Sequence, residues 1–193
     1  MKTSVVLDYH LASGRVGYVV RALLKFEGDS AIPAEHIPLN LSVVLDRSGS
    51  MSGPKLVYAR RAAADLVRRL RPEDVVSVVA YDDQVTTVAQ PHTGDAQSDL
   101  PAEIEGIEVG GSTNLSGGWL RGRELVSCDR AASSKNGVNR VLLMTDGLAN
   151  VGITNPEQLV GLCKNALEAG VTTSTIGFGD DYDEELLRGS CRA

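Results

Sequence analysis

Short apolar runs recur along the chain, and several are flanked by turn-forming residues. Such runs of about eight residues are typical of strands buried on both faces of a parallel sheet. The run LNLSVVLD (39–46) is the clearest example, because five of its eight positions are apolar. We therefore predict strands over four segments: 39–46, 75–82 (VVSVVAYD), 139–146 (NRVLLMTD) and 171–179 (VTTSTIGFG).

Between these strands the apolar spacing changes to that of helices. Leu56, Ala59, Ala63, Leu66 and Leu70 recur at helical intervals, and Pro72 follows, which predicts a helix over 55–71. Further helices are predicted through Trp119 and Leu125 and over 156–169. The segment TTVAQ (86–90) follows 75–82 after Asp83-Gln84-Val85, which indicates a hairpin.

Strands that alternate with helices imply βαβ units with right-handed crossovers. The predicted fold class is therefore α/β, with an open, doubly wound and mostly parallel sheet. The hairpin adds one antiparallel edge strand to that sheet. Such a sheet usually continues with another strand and helix after residue 179, so we expect the C-terminus to be truncated.

The first 38 residues have a different pattern. Two apolar runs, SVVLDY and VGYVVRALLKF, predict a pair of strands, and the turn-rich segment EGDSAIPAEHIP resembles a linker. We therefore predict an N-terminal β-strand extension over 1–38 and an α/β domain over 39–193.

Composition and charge narrow the possible functions. The net charge is −6 and only 4% of residues are aromatic, which argues against binding of nucleic acid. The three cysteines form no CxxC pair, so no zinc site is indicated. No apolar run approaches 18 residues and no signal peptide is recognisable, so we expect no membrane span and a cytoplasmic location.

Two aspartates are predicted to lie at the edge of the sheet where ligands bind. Asp46 and Asp146 each end an apolar strand, and open α/β sheets bind ligands outside the carboxyl ends of their strands. Either aspartate alone could be a turn residue or a helix N-cap. However, Asp46, Ser48 and Ser50 place three oxygen-bearing side chains at alternate positions of one loop. This donor set suits Mg²⁺ or Mn²⁺ and does not suit zinc or copper.

A glycine-rich loop, GGSTNLSGG (110–118), is the third element of the pattern. It lacks the lysine of a phosphate-binding GxxxxGK[ST] loop. It is either a flexible surface loop or a segment that brings a hydroxyl to a shared site.

The segments DRSGSM, GGSTNL and LLMTDG, in this order, resemble the von Willebrand factor type A domain with its metal-ion-dependent adhesion site. The resemblance implies a Rossmann-like fold in which three loops supply the metal ligands. Many relatives have GGTN where this chain has GGSTN, so Ser112 is an alternative to Thr113. The stretch PLNLSVVLDRSGSM is similar to the bacterial and inter-α-inhibitor-like branch. The ligands implied by the resemblance are Asp46, Ser48, Ser50, Thr113 and Asp146.

The same resemblance implies a non-enzymatic protein-binding module with no catalytic residues. Its ion, Mg²⁺ with Mn²⁺ or Ca²⁺ as alternatives, would capture a Glu or Asp of a partner protein. One alternative is an adaptor that works with an AAA+ ATPase, which would share the same site. Another is a Mg²⁺-dependent phosphohydrolase. A phosphoaspartate enzyme of the haloacid dehalogenase type would have DxDx[TV] where this chain has DRSGS, and a GxSxG serine hydrolase motif is absent around Ser48 and Ser50.

Overall fold

A computed structural model describes residues 2–7, 22–27, 37–93, 99–128, 137–147 and 149–179. The chain divides into two compact units, Met1–His36 and Ile37–Ala193. In the first unit, β1 (Lys2–Leu7) pairs antiparallel with β2 (Ala22–Glu27), as the two apolar runs predict. The assignment of residues 1–38 as an extension with a linker stays a prediction, because most of the linker lies outside the described residues.

The second unit contains a five-stranded sheet in the order β5-β4-β3-β6-β7. The pairs β3/β4, β3/β6 and β6/β7 are parallel, and β4/β5 is antiparallel. The predicted mostly parallel sheet with one antiparallel edge strand is therefore confirmed. The strands are β3 (Leu39–Asp46), β4 (Val75–Tyr81), β5 (Val85–Thr93), β6 (Val138–Thr145) and β7 (Val171–Gly177).

The helices connect these strands and cover both faces of the sheet. They are a 3₁₀ turn (Gly49–Met51), α1 (Pro54–Val67), α2 (Leu100–Glu105), α3 (Leu115–Cys128) and α4 (Pro156–Glu168). Among the described residues, no helix combines the length and the apolar character that crossing a membrane requires. Residues 180–193, where the sequence analysis expects a truncated C-terminus, lie outside the described residues.

Helices α1 and α2 differ most from the sequence prediction. The first helix was expected to reach residue 71 but ends at Val67. Beyond it the backbone tightens, since the amides of Arg69 and Leu70 bond to carbonyls only three residues back. Helix α2 was not predicted, because its six residues are too few to show a helical period. The side chains of Leu100 and Ile104 nevertheless hold this helix in place, because both are completely buried.

Successive residues of β3 pack against opposite layers of helices. Val43 and Leu45 belong to a cluster that includes the buried residues of α1 and α2. Val44 belongs to a second cluster, with buried residues of α3 and α4. Because side chains alternate across a strand, the continuous apolar run of β3 is explained by burial on both faces. The sheet is therefore doubly wound, as predicted.

Helix α3 approaches the sheet closely at Gly122. A Cβ added there would overlap the Val44 side chain and would lie 3.1 Å from Ser42 Oγ. Gly122 therefore sets how near α3 lies to β3, the strand that ends in Asp46.

We expect Gly122→Ala to lower the free energy of unfolding by about 2 kcal/mol, because the added methyl overpacks the contact with Val44. Gly161→Ala in α4 is the matched control. Nothing lies within 4 Å of a Cβ at that position, so the better helix propensity of alanine should leave stability unchanged or raise it. Urea unfolding followed by circular dichroism measures both. Equal stability of the two variants would contradict the assigned role of Gly122.

Candidate metal centre

The two predicted aspartates lie at neighbouring strand ends. β3 and β6 are adjacent and parallel, with Leu45 opposite Met144, so Asp46 is level with Thr145 and Asp146 follows directly. Both aspartates have 0% of their surface exposed. Burial of an ionised carboxylate is unfavourable unless it receives hydrogen bonds or a neighbouring positive charge. The hydrogen bonds and charges around each aspartate therefore determine what this edge of the sheet can bind.

Asp46 is held by three donors. Its Oδ1 accepts a hydrogen bond from the Ser48 amide at 2.9 Å. Its Oδ2 accepts bonds from the hydroxyls of Thr145 at 2.6 Å and Tyr81 at 3.1 Å. Burial raises the pKa of Asp46, and the charge of Asp146 adds to this rise, although the bonds from Ser48 and Thr145 partly oppose it. Both oxygens thus have fixed positions.

The first loop brings two hydroxyls together. Ser48 Oγ lies 3.1 Å from Ser50 Oγ, so the two side chains are directly adjacent. Ser48 is buried, whereas Ser50 is exposed. Met51, with 0% exposure, anchors the 3₁₀ turn that follows Ser48, and its amide donates to the Ser48 carbonyl at 3.0 Å. The turn therefore holds both hydroxyls beside the end of β3.

The second loop is joined to the first through the backbone. The Gly49 amide donates to the Gly111 carbonyl at 2.8 Å, and the Gly110 amide donates to the Arg47 carbonyl at 2.7 Å. These reciprocal bonds hold the glycine-rich segment against the loop that carries the serines. The loop is consequently an ordered part of the sheet edge, and the alternative of a flexible surface loop does not describe it.

Thr113 connects the second loop to the third. Its carbonyl accepts the amides of Asn150 at 3.1 Å and Val151 at 3.0 Å. Thr113 is only 2% exposed, whereas the neighbouring Ser112 is exposed. The two candidates for the second-loop ligand therefore differ in environment, since Thr113 lies inside the edge and Ser112 faces solvent.

Asp82 fastens the loops but was not predicted as a site residue. Its carboxylate accepts the amides of Gln84 at 2.9 Å and Gly111 at 3.1 Å, and pairs with Arg47 Nη2 at 3.2 Å. Burial raises the pKa of Asp82, but these three bonds outweigh it and hold the pKa below the ordinary value. A Cβ at Gly110 would overlap the Asp82 carboxylate, which explains the glycine there.

Asp146 has a cation close to it. Nζ of Lys55, in the first turn of α1, lies 3.5 Å from Asp146 Oδ2. The Lys55 side chain is 23% exposed, so its ammonium retains access to water. Asp46 and Asp146 therefore share the edge of the sheet with a lysine.

The donor set fits a hard divalent cation. Within the described ranges, no group of three or more His, Cys, Asp or Glu side chains could hold a metal ion. A metal at this edge would therefore depend on serine and threonine hydroxyls in addition to the two carboxylates. Hydroxyl and carboxylate oxygens suit Mg²⁺ and Mn²⁺, whereas zinc sites usually contain His or Cys.

Four residues near the aspartates were missed by the sequence reasoning: Tyr81, Asp82, Thr145 and Lys55. Tyr81 ends strand β4, which neighbours β3, and Asp82 follows it directly. The sheet-edge rule that identified Asp46 and Asp146 also applies to that strand end and could have found them. Thr145 precedes Asp146 directly. The sequence gives no comparable indication for Lys55, because its position after Asp46 does not show that its side chain reaches Asp146.

Comparison with known proteins identifies relatives of the same kind. Residues 40–191 match the family model of the von Willebrand factor type A domain. The uncharacterized Escherichia coli (strain K12) protein YfbK is 35% identical over 158 residues, which are 80% of this chain and 27% of that protein. Human inter-alpha-trypsin inhibitor heavy chain H3 is 26% identical over 179 residues, 90% of this chain and 20% of that protein. The chain thus spans about a quarter or less of these relatives. They belong to the bacterial and inter-α-inhibitor-like branch that residues 38–51 indicate.

Two solved structures share the fold at low identity. Proximal thread matrix protein 1 from the mussel byssus, with a zinc-occupied MIDAS motif, has a TM-score of 0.65 at 20% identity; the match covers 80% of this chain and 41% of that one. Manganese-loaded Plasmodium vivax TRAP protein has a TM-score of 0.64 at 16% identity; the match covers 79% of this chain and 62% of that one. These likenesses support the doubly wound fold described above.

The opposite pKa shifts of Asp46 and Asp82 predict opposite pH effects on stability. The pKa of Asp46 is raised above 3.8, so its stabilising contribution is present below pH 3.8 and is lost as pH rises through the raised value. Measured in EDTA, the stability of Asp46→Asn relative to wild type should increase as pH rises from about 3.8 towards neutrality.

Asp82→Asn is the matched comparison. The pKa of Asp82 is lowered below 3.8, so its contribution is present above pH 3.8 and is lost as pH falls through the lowered value. The stability deficit of Asp82→Asn should therefore shrink in acid. Urea unfolding at a series of pH values measures both variants. Parallel pH profiles for the two would show that their pKa shifts have been assigned wrongly.

Proposed function

The chain belongs to the von Willebrand factor type A domain family, and on this premise we propose that it is a protein-binding module. A divalent cation bound at the carboxyl edge of the sheet captures a Glu or Asp carboxylate of a partner protein. The observation that carries the proposal is the burial of Asp46 and Asp146 at neighbouring strand ends, together with the adjacent Ser48 and Ser50 hydroxyls in the loop that follows Asp46.

The proposed ligands come from three loops that the backbone joins together. Ser48 and Ser50 offer adjacent hydroxyls, and Asp146 offers a buried carboxylate. Both oxygens of Asp46 already accept hydrogen bonds from the protein, which supports a contact to the ion through water. Magnesium tends to retain water ligands, so this arrangement suits it. The complete proposed set is Asp46, Ser48, Ser50, Thr113 and Asp146.

We propose Mg²⁺ as the resident ion, with Mn²⁺ or Ca²⁺ as possible substitutes. The mussel protein contains zinc in its MIDAS motif and the Plasmodium vivax protein contains manganese. The family site thus accepts more than one divalent metal. In this chain the five proposed ligands are all oxygen donors, which favours magnesium or manganese over zinc.

Charge balance supports capture of a carboxylate. Two aspartates contribute at most −2 to the site, and the hydroxyl ligands are neutral. The ion therefore remains attractive to an external anion, which a third protein carboxylate would oppose. Bound metal supplies Lewis acidity, while Asp82 and the loop backbone hold the ligands in place.

We propose a binding role and not an enzymatic one. The family and the heavy-chain relatives suggest that this domain is an interaction module. In addition, the chain has DRSGS where a phosphoaspartate enzyme would have a second aspartate. The loop around Ser48 also carries no histidine that could act as a base.

The proposal predicts saturable Mg²⁺ binding that depends on the buried carboxylates. Isothermal titration calorimetry with Mg²⁺ should show one site in wild type, and Asp46→Asn and Asp146→Asn should weaken it at least about tenfold, since each removes a charge that attracts the ion. Glu168→Gln, which removes an exposed carboxylate of α4, is the matched control and should bind as wild type does.

Carboxylate capture is tested on the same protein with Tb³⁺ as a luminescent substitute. A glutamate-containing peptide should displace water from the bound ion, which is read from lifetimes in H₂O and D₂O. Absence of metal binding in wild type would overturn the proposal. Phosphatase turnover that disappears in Asp46→Asn would instead support the enzyme alternative.

A second prediction separates the two candidates for the second-loop ligand. Thr113 is buried and Ser112 is exposed, so Thr113→Ala should weaken Mg²⁺ binding by about tenfold or more while Ser112→Ala leaves it unchanged. Thr113→Ser, which retains the hydroxyl, should stay near wild type. The reverse order of the two alanine variants would assign the ligand to Ser112.

A further inference from the structure

Lys55 is positioned to interact with the same carboxylate that is proposed to bind metal. Its Nζ lies 3.5 Å from Asp146 Oδ2, and Asp146 is completely buried. Pro54 begins α1 immediately before it, so the start of the helix fixes the backbone from which this side chain extends. The contact therefore belongs to the architecture of the edge.

Two cations cannot both approach one carboxylate closely without repulsion. At a separation of a few ångströms the interaction between charges is large even with substantial screening by the protein and solvent. A divalent ion held by Asp146 would face the ammonium of Lys55. The lysine must then either move away or remain and repel the ion, and both responses weaken metal binding.

The Lys55 side chain has the freedom to move away. It is 23% exposed, and lysine carries its charge on a flexible four-carbon stem. Asp146 has no such freedom, because it follows β6 directly and is buried. Movement of the lysine is therefore the easier response of the site to a second cation.

We propose that Lys55 is an intramolecular competitor of the divalent cation. It neutralises Asp146 when the metal concentration is low, and it lowers the affinity of the site, so that occupancy follows the concentration of the ion. Lys55 thus sets the affinity of the site for the ion and is not itself a metal ligand. The inference rests on the proposed function, because it concerns the metal that this function requires.

The test compares Mg²⁺ affinities of the whole chain by calorimetry. Lys55→Gln should bind Mg²⁺ about tenfold more tightly than wild type, because the competing charge is removed. Lys55→Arg retains the charge and should stay close to wild type. Lys164→Gln, which removes an exposed charge of α4, controls for the change in net charge and should alter affinity less than about twofold.

Thermal unfolding provides a second readout. In EDTA, Lys55→Gln should melt at a lower temperature than wild type, because Asp146 loses its counter-charge. The rise in melting temperature on addition of Mg²⁺ should be larger in the variant, as tighter binding stabilises the folded state more. If Lys55 only stabilised the fold, its replacement by glutamine would lower the melting temperature without increasing this rise.

The outcomes separate the two proposals. Equal or weaker Mg²⁺ binding by Lys55→Gln, with normal binding by wild type, would overturn the role of Lys55 and leave the metal site intact. No binding by wild type or by any variant would overturn the proposed function, and this inference with it.

Discussion

The alignment of β3 with β6 is the constraint on which the site depends. Because the two strands are parallel neighbours, their carboxyl ends bring Asp46 and Asp146 to one edge of the sheet. Both carboxylates are buried, so their charge must be balanced by hydrogen bonds or cations. Ser48, Tyr81 and Thr145 donate hydrogen bonds to Asp46, and Lys55 lies beside Asp146. The divalent ion that we propose would bind to the same two carboxylates, and it would thereby join the stability of the edge to the proposed binding function.

The carboxylates and the hydroxyl groups of the candidate site are positioned by different parts of the structure. The sheet register positions the aspartates, whereas backbone hydrogen bonds between loops position Ser48, Ser50 and Thr113. Asp82 stabilises these loops without being a proposed ligand. Its bonds to the Gly111 amide and to the Arg47 guanidinium hold the two loops from the end of a third strand. The loops are therefore held by the same sheet edge that carries the charges.

The sequence predicts the sheet well, and it indicates a set of candidate ligands that stays a prediction; both inferences rest on local patterns. Buried parallel strands show continuous apolar runs, and the DRSGS spacing is visible without coordinates. Helix α2 is missed because six residues are shorter than the window in which a helical period can be recognised. Lys55 and Asp82 are missed for a different reason. Their contacts with Asp146 and Gly111 join residues 91 and 29 positions apart, and such distances in sequence carry no periodic signal.

The backbone bonds between the loops have a consequence for engineering. Gly49, Gly110 and Thr113 make their connections through main-chain atoms, so exposed neighbours such as Ser112 and Val151 are not needed to hold the loops together by their side chains. A combinatorial library that randomises those two exposed positions should therefore leave the core scaffold intact. Selection from such a library would show whether these positions affect which acidic peptide the proposed site binds, while Gly110 has to stay invariant because a Cβ there would overlap Asp82.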